Sequence, residues 1–585
     1  MAAYVLLRYG APDGQPCWLE GRNPVGVVAA HTHAEVLPAL SQVDRATAQG
    51  LTAVGFVSYE AAHGLDPAFP RADAPLPLVW FALFRQLTPV NPPNAENSPA
   101  TWENSPALRW QGSVSPCAYE DAVDAIRAAI AAGEVYQVNY SFRLRAPFEG
   151  DLLPLFWQLY ARQPVPYAAY LDIGAHAIAS LSPELFFARA GERLWTRPMK
   201  GTAPRGRTLA DDLRRADQLT RCPKNRAENL MIVDMARNDL GRVARVGTVR
   251  VPRLFEAERY ATLWQMTSTV VACTDAPLRE VFRALFPAAS ITGAPKIQAT
   301  RVIHQLEPDP RGVYTGAIGV VMPDGHAQFS VAIRTLHHDR QAERLEYGVG
   351  SGVVWDSERV AEYEECLTKA QVLFEARPAF ELLETLLWRR ERGYFLLEAH
   401  LRRLCDSACY FDFAVDADAL RRALLQVAES FTEPRYRVRL LVNRRGQFRM
   451  EYAPFTPERR VWRVALARAP VNPREAFLYH KTTHRQVYER ARAEHPDCDD
   501  VILWNTRGEI TESTLANVVV RLEGRYWTPP VSCGLLAGVY RERLLQRGLV
   551  QERVLTLDDL RRAEAIYLVN SVRGWVRVEL QGTAG

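Results

Sequence analysis

Three groups of residues in this chain have types and spacings that could do chemistry. The first is Lys200, in the run Arg197-Pro198-Met199-Lys200-Gly201-Thr202. Pro198 fixes its own φ and restricts Arg197, while Gly201 permits close approach or a left-handed backbone. A lysine so flanked can be held as a nucleophile, although the same pattern alone also describes a surface lysine in a turn. The second group is Glu362 and Glu365, three apart in a predicted helix, with Lys369 one turn further; all share one face. A second predicted helix over 223–243 presents Glu228. Mg²⁺ takes one or two carboxylates plus water and substrate oxygens, which this set could supply; singly, such glutamates are solvated helix faces. The third group is Tyr347-Gly348-Val349-Gly350-Ser351-Gly352-Val353, read as a glycine-rich turn leaving a strand. Its spacing is wrong for a dinucleotide fingerprint, which leaves a backbone N–H nest for a carboxylate. Arg334 in SVAIRT offers a guanidinium fork for a second one. Types and spacing together describe a site for a small polyanion with Mg²⁺.

The elements that must position these groups follow from pattern. Residues 1–90 read as short strands and turns, and 91–114 as a polar, proline-rich connector carrying ENSPA twice. Order resumes at Ser115-Pro116, a helix start, with Tyr119, Val123, Ile126 and Ile130 at helical spacing and Gly133 as the stop. Strands are predicted over 133–146, 169–174, 177–182 and 185–190, and a helix from Glu358 to Phe374. Glu375-Ala376-Arg377-Pro378 breaks that helix, so domains are expected over 115–375 and 380–585. The second has its own predicted strands at 436–443, 462–467, 500–504 and 516–521.

With 585 residues the chain exceeds one core. A net charge of +4 gives no nucleic-acid or membrane signature. No run approaches the ~20 apolar residues of a membrane span, and the N-terminus lacks a signal-peptide pattern. Nine scattered cysteines without a C-x-x-C pair fit reduced thiols in a cytoplasmic protein.

Eight ordered blocks then make the first part specific: AGEVYQVNYS, SLSPELFF, RPMKGT, RAENLMIVDMARNDLGRV, SITGAPK, RGVYTGAIG, SVAIRT and GVGSGVVWDSERVAEYEE. Residues 115–372 resemble the chorismate-utilising enzymes, with 1–90 similar to the segment that precedes them. The resemblance implies a large α/β sandwich that binds chorismate with Mg²⁺. It implies Glu228, Glu362 and Glu365 as magnesium carboxylates, and Arg334 with the Gly350-Ser351-Gly352 backbone as the chorismate carboxylate site. Thr292, Tyr314 and Lys369 become further substrate or metal-site contacts, and Glu184 in SPE the acid that assists departure of the ring hydroxyl. Two positions sort the branches. Isochorismate-forming members carry a water-activating lysine where this chain has Gln137, and anthranilate synthases a small residue where it has Lys200. A lysine there is what the aminodeoxychorismate-synthase branch carries, implying attack by Lys200 on the ring and amination at C4. No glutaminase pattern is visible in the chain, so a separate glutamine amidotransferase or free ammonium is expected as the ammonia source.

The remaining blocks are EAHLRRL (398–404), YHKTTHR (479–485), NTRGEITE (505–512), CGLLAGVYRERLL (533–545) and LVNSVRGW (568–575). They resemble the fold-type IV, branched-chain-type aminotransferase family, so the chain as a whole is expected to be α/β (α+β), a sandwich followed by a pyridoxal-phosphate domain. The resemblance implies Lys481 as the cofactor lysine and Glu512 as the partner of the pyridine nitrogen. Arg403, the Gly538 and Val539 amides and Ser571 would hold the phosphate. Thr385 falls where the lyases of this family have a proton-handling threonine. The family includes 4-amino-4-deoxychorismate lyases and transaminases of branched-chain and D-amino acids. A non-catalytic module that docks the amidotransferase is a further alternative. Chemistry favours the lyase, because the expected product of the first part is its substrate, giving 4-aminobenzoate. Relatives of this domain usually dimerise, so a homodimer is possible.

Overall fold

The computed structural model describes residues 3–10, 15–92, 108–374, 379–458 and 460–581. Both ENSPA copies and the 375–378 break lie outside the described residues. The chain divides into two compact units: Met1–Pro204 with Asp217–Arg377, and Arg205–Ala216 with Pro378–Gly585.

The first unit is built on two ten-stranded sheets. Val5, Leu7, Leu171 and Ile178 of one meet Val54, Phe56, Trp80 and Ile318 of the other in a buried core between them. The outer face of the first sheet is covered by helices at Pro116–Ala131, Leu152–Arg162 and Arg359–Ala370, through Tyr119, Phe156 and Cys366. Helices Val36–Ala48, Pro223–Gly241 and Leu278–Leu285 cover the second, through Val43, Val233 and Phe282. This is a helix–sheet–sheet–helix sandwich, in which each amphipathic helix buries its stripe on one sheet. The expected helix start is present: Ser115 Oγ accepts from the Ala118 amide, Pro116 is the first helical residue, and Gly133 follows the helix at φ 75°.

The glycine-rich stretch departs from its expectation. It is no turn: Arg344–Val353 is one continuous strand, with Gly350 opposite Ser141 and Gly352 opposite Asn139. Cross-strand pairing keeps the chain extended, because the glycines occupy positions where a side chain would collide with its neighbours. A Cβ on Gly348 would lie 2.3 Å from the Tyr314 ring. On its other edge this strand is covered by Thr335–Asp339 only over Arg344–Tyr347. Among the described strands, none covers that edge from Gly348 to Val353.

The second unit holds a four-stranded antiparallel sheet and an eight-stranded mixed sheet. Helices Leu397–Phe411 and Ala417–Ala428 pack on the smaller sheet through Leu401, Leu404 and Leu424. Val518, Val520, Ile566 and Leu568 centre the core of the larger one. No helix among the described residues is long and apolar enough to cross a membrane, and the described residues hold no disulfide.

Candidate active sites

In the first unit, a cavity of about 640 Å³ collects most of the chemistry-bearing residues. Lys200 enters it from the strand Met199–Pro204, whose pairing with Leu263–Cys273 slips between Met199 and Thr202. The slip is a bulge centred on the lysine, and Gly201 takes φ 95° to make it, a conformation that favours glycine. Three side chains fix the bulge. Asn229 donates to the Lys200 carbonyl (3.0 Å) and Gln265 to that of Gly201 (3.0 Å). Ser268 in turn donates to Asn229 Oδ1 at 2.6 Å. The Lys200 amine lies against Gly352, where a Cβ would stand 2.6 Å from Nζ and 2.9 Å from Gln137 Nε2. Burial pushes the Lys200 pKa below the usual lysine range, against the pull of Glu228 and with the help of Lys369. The site therefore shifts the amine toward its neutral form.

Glu184 lies in the same wall, buried, and accepts from Ser290 Oγ at 2.6 Å. Burial raises its carboxyl to about 7, although Ser290 and the Met199 amide favour the ion. A carboxylic acid that keeps its proton near neutrality can donate it.

Arg334, Tyr314, Gly350 and Gly352 also line the cavity. Arg334 has φ 52°, uncommon for a residue with a side chain. Its Nη1 and the Tyr347 hydroxyl are buried without a hydrogen-bond partner among the described residues. Two such donors on one cavity wall suit an anion. Ser351 projects the other way, with Oγ 2.8 Å from the Tyr119 hydroxyl, so only its backbone can serve the cavity. Thr292 is not part of the wall: its hydroxyl donates to the Ala288 carbonyl at 3.0 Å inside a tight turn. Ser290, two residues earlier, is the hydroxyl that reaches the site.

Glu228, Glu362, Glu365 and Lys369 line the cavity from two helices. Lys369 Nζ stands 2.7 Å from Glu365 Oε1 and donates to the Gly350 carbonyl at 2.9 Å. Burial would raise the Glu365 carboxyl, but Lys369 overrides it and holds the pKa low. Ser357 donates to Glu362 at 2.6 Å. Among the described residues, no three His, Cys, Asp or Glu side chains are grouped closely enough to ligate one ion. The carboxylates thus fit Mg²⁺ held jointly with water and substrate oxygens, rather than a closed protein cage.

In the second unit, Lys481 follows a short turn at Ala476–Leu478 and its carbonyl accepts from the Leu383 amide. Burial first, then Arg403, lowers its amine to about 8. Glu512 is buried and raised by that burial to about 7. Its Oε1 accepts from Tyr488 (2.8 Å) and the Leu536 amide (3.2 Å), while Oε2 accepts from Asn517 Nδ2 at 3.5 Å. Arg403 is clamped by two bonds to buried Glu384 (2.8 and 2.7 Å), which also meets His400 Nδ1 at 2.7 Å. Arg403 Nη1 donates to the Ala537 carbonyl, next to Gly538. Gly538 caps the helix Val539–Gln546, and a Cβ there would lie 1.9 Å from Asn517 Oδ1. Asn517 is paired with Val569, two residues before Ser571. The buried hydroxyls of Thr482 and Thr511, without a partner among the described residues, flank Lys481 and Glu512 in sequence. A lysine, a buried carboxyl and an arginine beside a glycine-capped helix N-terminus fit pyridoxal phosphate. Strand alternation sends Thr385 to the face opposite Glu384, without a side-chain hydrogen bond among the described residues.

Comparison with known proteins agrees with this division. Residues 19–375 match the family model described as chorismate binding enzyme, and residues 381–580 that of amino-transferase class IV. The aminodeoxychorismate synthase component 1 of Klebsiella aerogenes is 39% identical over 277 residues, covering 47% of this chain and 61% of the relative. The anthranilate synthase component 1 of Streptomyces coelicolor is also 39% identical, over 276 residues, covering 46% of this chain and 52% of the relative. The chain thus spans little more than half the length of these curated relatives. The solved anthranilate synthase component I from Streptococcus pneumoniae superposes with a TM-score of 0.52 at 23% identity, covering 64% of this chain and 92% of that one, and so shares the fold. The chain belongs to the chorismate binding enzyme family, and an amino-transferase class IV domain follows the chorismate-binding part.

Proposed function

We propose that the first unit aminates chorismate at C4 to 4-amino-4-deoxychorismate, with ammonia from a separate glutamine amidotransferase, and that the second unit eliminates pyruvate from that product to give 4-aminobenzoate. Equal identity to an aminodeoxychorismate synthase and an anthranilate synthase leaves overall similarity neutral. The observation that carries the reading is Lys200, held by the bulge inside the cavity and depressed toward the neutral amine.

In this mechanism Arg334 and the backbone at Gly350–Gly352 bind the chorismate carboxylates, and Glu228, Glu362 and Glu365 would hold Mg²⁺ in part through water, the ion supplying positive charge to the substrate carboxylate when bound. Lys200 Nζ forms a bond to ring C2 as both ring double bonds shift and the C4–O bond breaks. Glu184 gives that hydroxyl its proton, so water leaves. Ammonia then bonds to C4, both double bonds shift back, and the lysine is released as the C2–N bond breaks. Gln137 has no basic group to activate water, which favours ammonia addition over hydration.

In the second unit Arg403, the Gly538 and Val539 amides and Ser571 would bind the phosphate, and Glu512 the pyridine nitrogen. Pyridoxal phosphate supplies an electron sink when bound. Lys481, lowered to about 8, holds and moves the proton at C4 of the substrate ring. The anchoring residues orient that C–H toward the amine and exclude water.

The test is Lys200→Ala in the full chain. Amination should vanish while Mg²⁺-dependent chorismate binding, followed by calorimetry, stays within about threefold of the parent. An unchanged amination rate would refute the role of the lysine.

A further inference from the structure

The second unit contains a piece of chain far from the rest of it in sequence. Residues Arg205–Ala216 belong to it, although they fall inside the stretch that matches the chorismate-binding model. The piece is folded around one buried carboxylate. Asp212, fully buried, accepts two bonds from Arg205 Nε (2.8 and 2.9 Å) and one from the Gly206 amide (2.7 Å). No side chain fits at Gly206, where a Cβ would lie 2.1 Å from the Asp212 amide nitrogen. The Arg205 guanidinium sits 4.4 Å from the Tyr410 ring centroid and donates to the Tyr410 carbonyl, while the Tyr410 hydroxyl donates to the Gly206 carbonyl (2.7 Å).

This cluster ends on the residue next to Lys481. His480 is buried and stacked on Tyr410 with centroids 4.4 Å apart. Its Nε2 is 3.0 Å from the Arg207 carbonyl and its Nδ1 2.9 Å from Ser407 Oγ. A carbonyl can only accept, so Nε2 carries the proton and Nδ1 accepts from Ser407. Both ring nitrogens are thereby used, and the backbone entering Lys481 is fixed from one side by residues 205–216. On the other side, the Lys481 carbonyl is fixed by the Leu383 amide.

We propose that Arg205–Ala216 is a positioning element of the pyridoxal-phosphate unit, which sets the Lys481 loop through the bond between His480 and the Arg207 carbonyl. The proposal rests on the reading of Lys481 as the cofactor lysine. It makes the second unit discontinuous in sequence: residues 378–585 alone lack one wall of the lysine loop. Arg205 and Asp212 are positioning residues, linked to His480 through Gly206 and Tyr410.

The experiment uses the full chain and pyridoxal phosphate itself. Hydrogen exchange of the amides in 205–216 is measured with and without the cofactor at about a hundred times its dissociation constant. Amides that open only together with the cofactor-binding unit should slow by about a hundredfold. In parallel, His480→Leu should raise the pyridoxal phosphate concentration for half-saturation about tenfold and shift the pH titration of the bound-cofactor absorbance band. His480→Gln, which retains a donor toward the Arg207 carbonyl, should recover most of both. Unchanged exchange in 205–216 on cofactor binding would overturn the proposal even if the variants do not fold. So would a His480→Leu affinity within about twofold of the parent. A parent chain that binds no pyridoxal phosphate would instead refute the reading of Lys481, and the proposal would fall with it.

Discussion

Gly352→Ala should disable the first site without unfolding the protein. The added Cβ would stand 2.6 Å from Lys200 Nζ and 2.9 Å from Gln137 Nε2, where an ordinary contact begins at 3.4 Å. Both neighbours are the ends of flexible side chains, so the backbone of the strand need not move. The lysine amine must retreat by about 0.8 Å at least, and a misplacement near 1 Å at a reacting atom costs on the order of a hundredfold in rate. That corresponds to about 2.7 kcal/mol at the transition state. The assay is steady-state amination of chorismate with ammonium and Mg²⁺, paired with thermal unfolding. We expect kcat to fall about a hundredfold, with Tm within about 3 °C of the parent. A kcat within threefold of the parent would show that the position of the Lys200 amine is not what limits the reaction. A large drop in Tm would refute the premise that only side-chain ends adjust.

Two further perturbations test the other groups. Glu184, raised to about 7 by burial, must be protonated to act as the acid. The amination rate should therefore decline by about tenfold per pH unit above that value; a profile flat to pH 9 would remove Glu184 from the role. In the second unit, Gly538→Ala places a Cβ 1.9 Å from Asn517 Oδ1. This should weaken pyridoxal phosphate binding at least about tenfold in an absorbance titration while the first site keeps its rate, and unchanged affinity would move the phosphate site elsewhere.

Much of this was legible from the sequence, where type and spacing carry the information. Glu362, Glu365 and Lys369 share a helix face, and helical periodicity alone brings them to one cavity wall. Lys200 between Pro198 and Gly201 announces a constrained lysine, though the bulge that holds it depends on pairing with residues about 65 positions away. The misreadings have physical causes. Glycines from 348 to 352 suggested a turn, but they answer to steric demands within a strand, Tyr314 packing over one and Lys200 passing over another. Thr292 and Ser290 both offer hydroxyls in one motif; which of them faces the cavity is set by a tight turn that no periodicity encodes. Asn229 and Gln265 act on backbone carbonyls, a role without a motif. Residues 205–216 carry no sequence sign of belonging to the second unit, because their anchors are a single buried carboxylate and two carbonyls.

The most direct test of the account is the product of the unmodified chain. Purified protein with chorismate, ammonium, Mg²⁺ and pyridoxal phosphate is followed by mass spectrometry. The account predicts 4-amino-4-deoxychorismate as a transient species, then 4-aminobenzoate and pyruvate in equal amounts. Anthranilate or isochorismate as the product would contradict the role assigned to Lys200, and 4-amino-4-deoxychorismate that accumulates unchanged would contradict the lyase assignment.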